Sequence, residues 1–300
     1  MQYFIELILS GLTRGSIYAL IALGYTMVYG IIQLINFAHG EVYMIGAFVA
    51  LIVAGVLTIY GFSGAAILLL AGLIAIIYAA AYGYTLERIA YRPLRNAPRL
   101  SPLISAIGMS LFLQNYVLLA QTPDFLPFPE LIPEFDFMEP IAHIMGSAEL
   151  IILVVTVITM IALTLLIRYT RIGKAMRATQ QDMIMARLVG VNVDKVISVT
   201  FIIGSILAAI GGVLVGSYIG QINYFIGFMA GVKAFTAAVL GGIGNIPGAV
   251  LGGLVLGLTE ALAAGYISSA YEDVFAFGVL VLILILRPSG LLGKAVRQKV

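Results

Sequence analysis

The sequence predicts an all-α integral membrane protein, a polytopic helical bundle of about eight or nine spans. Three observations lead there. Hydrophobic residues make up 62% of the 300 positions and charged residues only 10%, against about 25% charged in a soluble domain. Mean hydropathy is +1.10. Charged, Pro-rich or Gly-rich breaks then divide the chain into apolar runs close to the roughly 20 residues that one spanning helix needs. No length remains for a separate soluble domain, so residues 1–300 read as one transmembrane domain.

In chain order the apolar runs fall near 15–35, 41–61, 63–86, 102–121, 149–168, 196–219 and 273–287. The opening "MQYFIELILSGLTRG" lacks a basic segment followed by a small-residue cleavage site, and reads as retained. A longer Gly-rich run, 224–264, exceeds one bilayer thickness and is interrupted by "GGIGNIPG". It is expected to form two spans or a broken, re-entrant pair.

Charge orients these runs. Basic residues gather in three places: "ERIAYRPLRNAPR" (Arg88, Arg92, Arg95, Arg99), the stretch from Tyr169 to Lys195, and the tail "RPSGLLGKAVRQK" (Arg287, Lys294, Arg297, Lys299). The positive-inside rule puts all three in the cytoplasm. The loop at about 122–148, with Glu149 just after it, holds six acids, five prolines and no Lys or Arg, and belongs outside, where the prolines keep it irregular. Glu272 and Asp273 fall outside by the same topology. The C-terminus is then cytoplasmic, and an odd span count sends the N-terminus out, with Arg14 pulling the other way.

Several chemistries are excluded. There is no cysteine, hence no disulfide, thiol nucleophile or iron–sulfur cluster. His39 and His143 lie far apart, so no His-based metal site is expected. No GxxxxGK[ST] loop is present, and any use of ATP needs a partner. No paired Asp, Ser–His or His cluster falls within the spans, which leaves an intramembrane enzyme last among the alternatives. No nucleic-acid partner is expected.

The segment at about 169–195, "YTRIGKAMRATQQDMIMARLVGVNVDK", is a polar island between two apolar spans. Ile172, Met176, Thr179, Met183, Ala186 and Gly190 recur at steps of four and three, one face of a short amphipathic helix, with Lys174, Arg177, Gln181 and Arg187 off that face. Gly190 suits the helix end, and Asn192 or Asp194 can cap the next helix. Such a helix either anchors neighbouring spans at the lipid headgroups or docks in a groove of a cytoplasmic partner, with the stripe as anchor and the charges setting register. Its length exceeds what two adjacent helices need, which favours docking.

Two segments carry polar groups inside the apolar regions. Fifteen of the 33 glycines lie between Gly204 and Gly265, many at spacing four, and close helix packing accounts for most of them. In "GGIGN", Gly241, Gly242, Gly244 and Asn245 together with Pro247 break a helix, making a hinge or a pore-lining break. In "QLINFAHGEVYMIGAF", Gln33, Asn36, His39, Gly40 and Glu41 share an apolar setting. Glu41 is either an intramembrane carboxylate facing a cavity or partner, or a solvated acid in the first turn of a helix at the membrane edge. Lys233 and Glu260 raise the same question, since pairing would stabilise packing without any transport role. Each half of the chain thus holds a polar, Gly-broken segment between apolar helices, a pattern of transporters with two related halves. No residue-level repeat accompanies it.

Three stretches, "GSIYALIALGYTMVYGIIQLINFAHGEVYMIGAF" (15–48), "RIGKAMRATQQDMIMARLVGVNVDKVI" (171–197) and "FTAAVLGGIGNIPGAVLGGLVLGLTEAL" (235–262), lie in an order and at separations that carry a resemblance over nearly the whole length. The chain resembles the permease subunits of branched-chain amino acid ABC importers, of the LivH type. The resemblance implies an inner-membrane, multi-pass permease that moves leucine, isoleucine and valine. It also implies a second homologous permease, two cytoplasmic ATPase subunits that carry the ATP, an external substrate-binding protein, and surrounding lipid. No cofactor is implied in this chain itself. Residues 169–195 then match the family's coupling loop, through Gly173, Arg177, Ala178, Asp182, Ala186 and Gly190. Asn36, Gly40 and Glu41, with Gly241, Gly242, Gly244 and Asn245, match two intramembrane motifs and imply a translocation path. Similar permeases serve other amino acids, urea or short amides, because selection rests largely with the binding protein. The rival mechanisms are an ion-driven secondary transporter, for which only Glu41, Lys233 and Glu260 offer an ionisable site, and a channel-like facilitator.

Overall fold

The computed structural model describes residues 2–95, 97–98, 100–133 and 145–293. Arg99 of the first basic stretch, Glu134, Asp136, Glu139, Pro140 and His143 of the acidic loop, and Lys294, Arg297 and Lys299 of the tail lie outside the described residues. Among the described residues there are eleven α-helices: α1 (Gln2–Ile32), α2 (His39–Ile59), α3 (Gly64–Leu86), α4 (Leu100–Ala120), α5 (Ser147–Tyr169), α6 (Arg171–Gln181), α7 (Met183–Leu188), α8 (Val193–Ile219), α9 (Ile226–Gly241), α10 (Ile246–Tyr266) and α11 (Glu272–Leu286). Eight helical segments are long and apolar enough to cross a membrane; α9, at 16 residues, is shorter. A two-residue antiparallel ladder pairs β1 (Leu126–Pro127) with β2 (Gln221–Ile222), tying the start of the acidic loop to the α8–α9 turn.

Helices α1, α2, α8 and α10 form the centre, and α3, α4, α5 and α11 present large apolar side chains outward, such as Ile104, Leu119, Ile158, Leu165 and Ile285. Small residues explain how the central helices approach. Where α10 crosses α1, a Cβ added to Gly253 would lie 2.7 Å from the Ala19 nitrogen and 2.7 Å from the Gly15 carbonyl oxygen. Only hydrogen fits there, so the backbones touch and gain dispersion contacts along the whole crossing.

One boundary differs from the sequence reading. The first run, expected from 15, is the end of a 31-residue helix that starts at Gln2. Arg14 does not break it because Glu272 pairs with its guanidinium at 3.2 Å. Near the N-terminus the Tyr3 hydroxyl donates to the Gly265 carbonyl at 3.0 Å, fastening α1 to the end of α10. The long run 224–264 is, as expected, two helices, α9 and α10, broken at residues 242–245. The first basic stretch also does more than mark a side. After α3 the chain continues as a π-turn over Glu87–Tyr91, and Arg92 and Arg95 reach Asp194 at the start of α8, at 2.7 and 2.5 Å. Arg95 also pairs with buried Glu87, whose other oxygen accepts from the Ser198 hydroxyl at 2.7 Å.

Candidate functional site

Segment 169–195 is built by local caps. Thr170, extended at φ −83° and ψ 161°, turns the chain from α5 into α6, and its Oγ1 accepts from the Gly173 N–H at 3.0 Å. Gly173 lies so close to the Leu166 and Ile167 carbonyls that a Cβ would overlap both. Arg177 reaches back to the same helix end: its Nη1 donates to the Ile167 carbonyl and, at 3.2 Å, to that of Arg168. A cation there satisfies carbonyls that the last turn of α5 leaves open.

The single amphipathic helix expected from 172 to 190 is instead two. At Asp182, φ −160° and ψ 111° interrupt it, and Oδ1 accepts from the N–H groups of Ile184 and Met185 at 2.8 and 3.0 Å. This aspartate caps α7 in place of the bonds a continuous helix would make. Ala178 supplies the carbonyl that accepts from the Asp182 N–H, at 3.1 Å, and Ala186 the one that accepts from Val191, at 2.9 Å. Gly190, at φ +86°, closes α7. Of the two expected caps it is Asn192 that serves α8, accepting from the Lys195 N–H at 3.0 Å.

The stripe is a second correction. Met176, Thr179 and Ala186 are buried in the chain's own core, and Ile172 and Met183 pack against it. It is not the free docking anchor expected, because α6 lies across the ends of α1, α5 and α8 and covers them. The apolar side chains left uncovered are Ile184, Met185, Leu188 and Val189, exposed by 68, 58, 74 and 77%.

The helix break lies beside this segment. A cavity of about 920 Å³ is lined on one side by Ile167, Arg168, Arg177 and Gln180, and on the other by Ile243, Gly244, Asn245 and Pro247. Two groups that the sequence reading held apart therefore share one space. Gly242 and Gly244 take φ +101° and +91°, a region that L side chains avoid. Asn245 caps α10, its Oδ1 accepting from the Gly248 N–H at 3.3 Å. The Gly241 backbone meets that of Gly248 too closely for any side chain. Residues 289–293 close over the break: the N–H groups of Leu291 and Leu292 donate to the carbonyls of Leu240 and Gly241 at 2.9 and 3.0 Å, and Asn245 Nδ2 donates to the Leu292 carbonyl at 2.7 Å. Sequence reasoning took this tail only as a basic terminus; the paired glycines of "PSGLLG" were the available signal.

The other polar segment is internal. Gln33, at φ +53°, ends α1, and the chain crosses to α2 with Asn36 accepting from the Tyr91 hydroxyl at 2.7 Å. Gly40 packs against the backbone of Gly227 and Gly231 in α9. Glu41 is fully buried, so of its two readings the solvated turn at the membrane edge is overturned. Its Oε1 accepts from Ser110 in α4 at 3.0 Å, while Oε2 and the Nε2 of neighbouring His39 have no hydrogen-bond partner among the described residues. Helices α2, α4 and α9 thus meet around Gly40 and Glu41 without opening onto the 920 Å³ cavity. Lys233 and Glu260 do pair, at 3.1 Å.

Eight apolar spans, a polar segment at one end and a helix break that opens beside it define a polytopic membrane transport component. The chain belongs to the family described as "Branched-chain amino acid transport system / permease component", whose profile matches residues 7–284. It is 51% identical, over 99% of its length and 98% of the relative's, to the high-affinity branched-chain amino acid transport system permease protein LivH of Escherichia coli (strain K12). It is also 51% identical to the corresponding BraD protein of Pseudomonas aeruginosa, over 100% of this chain and 99% of that one. The autoinducer 2 import system permease protein LsrC of Yersinia enterocolitica is 31% identical over 41% of this chain and 36% of its own length. The family is one of transport subunits, not of enzymes.

Proposed function

We propose that the chain is the membrane-spanning subunit of an ATP-driven importer that carries leucine, isoleucine and valine, delivered by an external binding protein, across the inner membrane. The observation that carries this reading is the uncovered apolar cluster Ile184, Met185, Leu188 and Val189 on and just after α7, with Arg187 among them. A patch of this kind marks a contact with a protein partner or with lipid, and the length of the segment favours a partner. The sequence has no nucleotide-binding loop of its own, so a cytoplasmic ATPase is the partner that fits. In this reading Gly173, Arg177, Ala178, Asp182, Ala186 and Gly190 give the segment its docked shape, and α7 presents it. Gly241, Gly242, Gly244 and Asn245 form the element that movement of α6 reaches, through the shared cavity. Asn36, Gly40 and Glu41 form the joint where the translocation path closes between α2, α4 and α9. Residues 1–300 act as one permease domain paired with a second, homologous permease, with two ATPases beneath. The Arg14–Glu272 pair brings the N-terminal half of α1 to the acidic end, which supports an external N-terminus and a cytoplasmic tail.

The test is to purify the tagged chain in mild detergent, identify what accompanies it, and measure ATP-dependent leucine uptake after reconstitution. An ATPase and a second permease in the complex, with uptake abolished by Leu188→Asp at unchanged membrane insertion, are expected. A chain that comes out alone and moves leucine without ATP would overturn the reading.

A further inference from the structure

We infer that the cavity at the end of the bundle away from segment 169–195 is a receiving site for a zwitterionic aliphatic amino acid. Glu272 would take the ammonium, and Arg14 the carboxylate. The inference rests on the import reading above and adds a recognition site within this chain.

The cavity measures about 490 Å³ and is walled by the α8 turn Val215 to Ile219 and the first turns of α9. Segment 169–195 joins α8 at Val193, roughly 33 Å down the same helix from Val215 at 1.5 Å per residue. The two cavities therefore lie at opposite ends of the bundle. The volume is in the range of small-ligand sites.

One wall is charged. Lys233 Nζ lies 3.1 Å from Glu260, 2.8 Å from Asp273 and 3.8 Å from Glu272. The ring of Tyr18 approaches Nζ at 5.8 Å, and the Tyr18 hydroxyl donates to Glu260 at 2.7 Å. Lysine is thus held on several sides. Arg14 spends one guanidinium nitrogen on Glu272, and its side chain is 41% exposed, which leaves further donors for an incoming carboxylate. Glu272 and the donors left on Arg14 offer one acceptor for an ammonium and one donor set for a carboxylate, the two charged ends of a zwitterion. Urea and a neutral amide carry neither charge. The rest of the lining is largely apolar, with Ile17, Tyr43, Val215, Ile226 and Met229. Charged groups and aliphatic surface in one cavity match both ends of leucine, isoleucine or valine.

Because the chain has no cysteine, Ala230→Cys in the cavity wall gives a single thiol on this subunit. The complete transporter, reconstituted in vesicles, is labelled with a membrane-impermeant maleimide with or without saturating L-leucine, 4-methylpentanoate or 3-methylbutylamine. Leucine is expected to slow labelling about tenfold, and the acid or amine alone far less, since each lacks one charge-assisted contact. Arg14→Gln and Glu272→Gln should each shift the protecting leucine concentration upward by about tenfold. Met229→Cys replaces Ala230→Cys if the latter does not assemble. Labelling indifferent to leucine, equal protection by the acid or amine, or protection unchanged in both charge variants would overturn the site. Leucine uptake by the complex carrying the parent chain is measured alongside. Uptake without protection removes this site and leaves the importer, whereas no uptake removes the importer reading itself.

Discussion

Reversing the charge at Arg177 separates the shape of the coupling segment from its surface. In Arg177→Glu the hydrogen bonds to the Ile167 and Arg168 carbonyls are lost. A bond from a charged donor contributes about 1.5–3 kcal/mol where water is excluded. Arg177 is exposed, so about 1 kcal/mol each is the fitting figure. A carboxylate at the C-terminus of α5 adds about 0.3–1 kcal/mol of unfavourable dipole interaction. The sum, about 2–3 kcal/mol, corresponds to a roughly 30- to 150-fold shift towards a lifted α6. Amide hydrogen exchange over residues 171–181, followed by mass spectrometry in nanodiscs, reads that shift directly, and ATP-driven uptake should fall with it. Lys174→Glu is the control. It changes an exposed charge on the same helix that makes no side-chain bond among the described residues, and its exchange should stay at the parent rate. Exchange in Arg177→Glu within about threefold of the parent would refute the clasp, whatever uptake does.

Two further outcomes follow from buried contacts. Lys233→Met leaves the fully buried Glu260 beside Glu272 and Asp273 without its cation. It should cost about 3–5 kcal/mol in a denaturant titration, with Lys233→Met/Glu260→Gln recovering a large part; equal loss in single and double variants would remove the pair from the stability argument. Gly253→Leu forces α10 from Gly15 and Ala19 of α1 and should cost about 3 kcal/mol, read in the same titration, whereas Gly278→Leu in α11, where a Cβ meets nothing within 4 Å, should be silent.

The spans were legible because composition alone demands a bilayer, and the broken run 224–264 because glycine and proline punctuate it. The start of α1 was not. Arg14 reads as a break until Glu272, 258 residues away, supplies its partner. The amphipathic stripe was legible as a covered face, but periodicity does not say what covers it. The ends of the chain's own spans do, and the exposed surface lies one helix further on, past an aspartate whose side chain stops the first. For Glu41, helix depth decided between two readings, and depth is set by α4 and α9, both distant in sequence. Of the candidate residues, Arg177 and Gly244 meet across one cavity, while Gly40 and Glu41 lie elsewhere. The site was readable as motifs; their grouping needed the fold.

The contact between the break and the tail makes its own prediction, because two glycines share it. A Cβ on Gly290, at φ +78°, would lie 2.6 Å from the Gly242 nitrogen, and one on Gly242 would lie 2.5 Å from the Gly293 nitrogen. Gly242→Val and Gly290→Val each combine strain at positive φ, about 1–3 kcal/mol, with a clash of similar size. Relief comes by lifting residues 289–293 from α9, which frees the Leu240 and Gly241 carbonyls and the Asn245 amide. Once the tail is lifted by one substitution, the second meets no clash and adds little. The double variant should therefore fall short of the sum of the singles by about 1–3 kcal/mol. Exchange at the Leu291 and Leu292 amides should rise in each single variant and rise little further in the double. Strict additivity would mean that the two glycines serve separate purposes. Non-additivity with lost uptake would make the tail a latch on the helix break, so that whatever moves α6 across the shared cavity must also release residues 289–293.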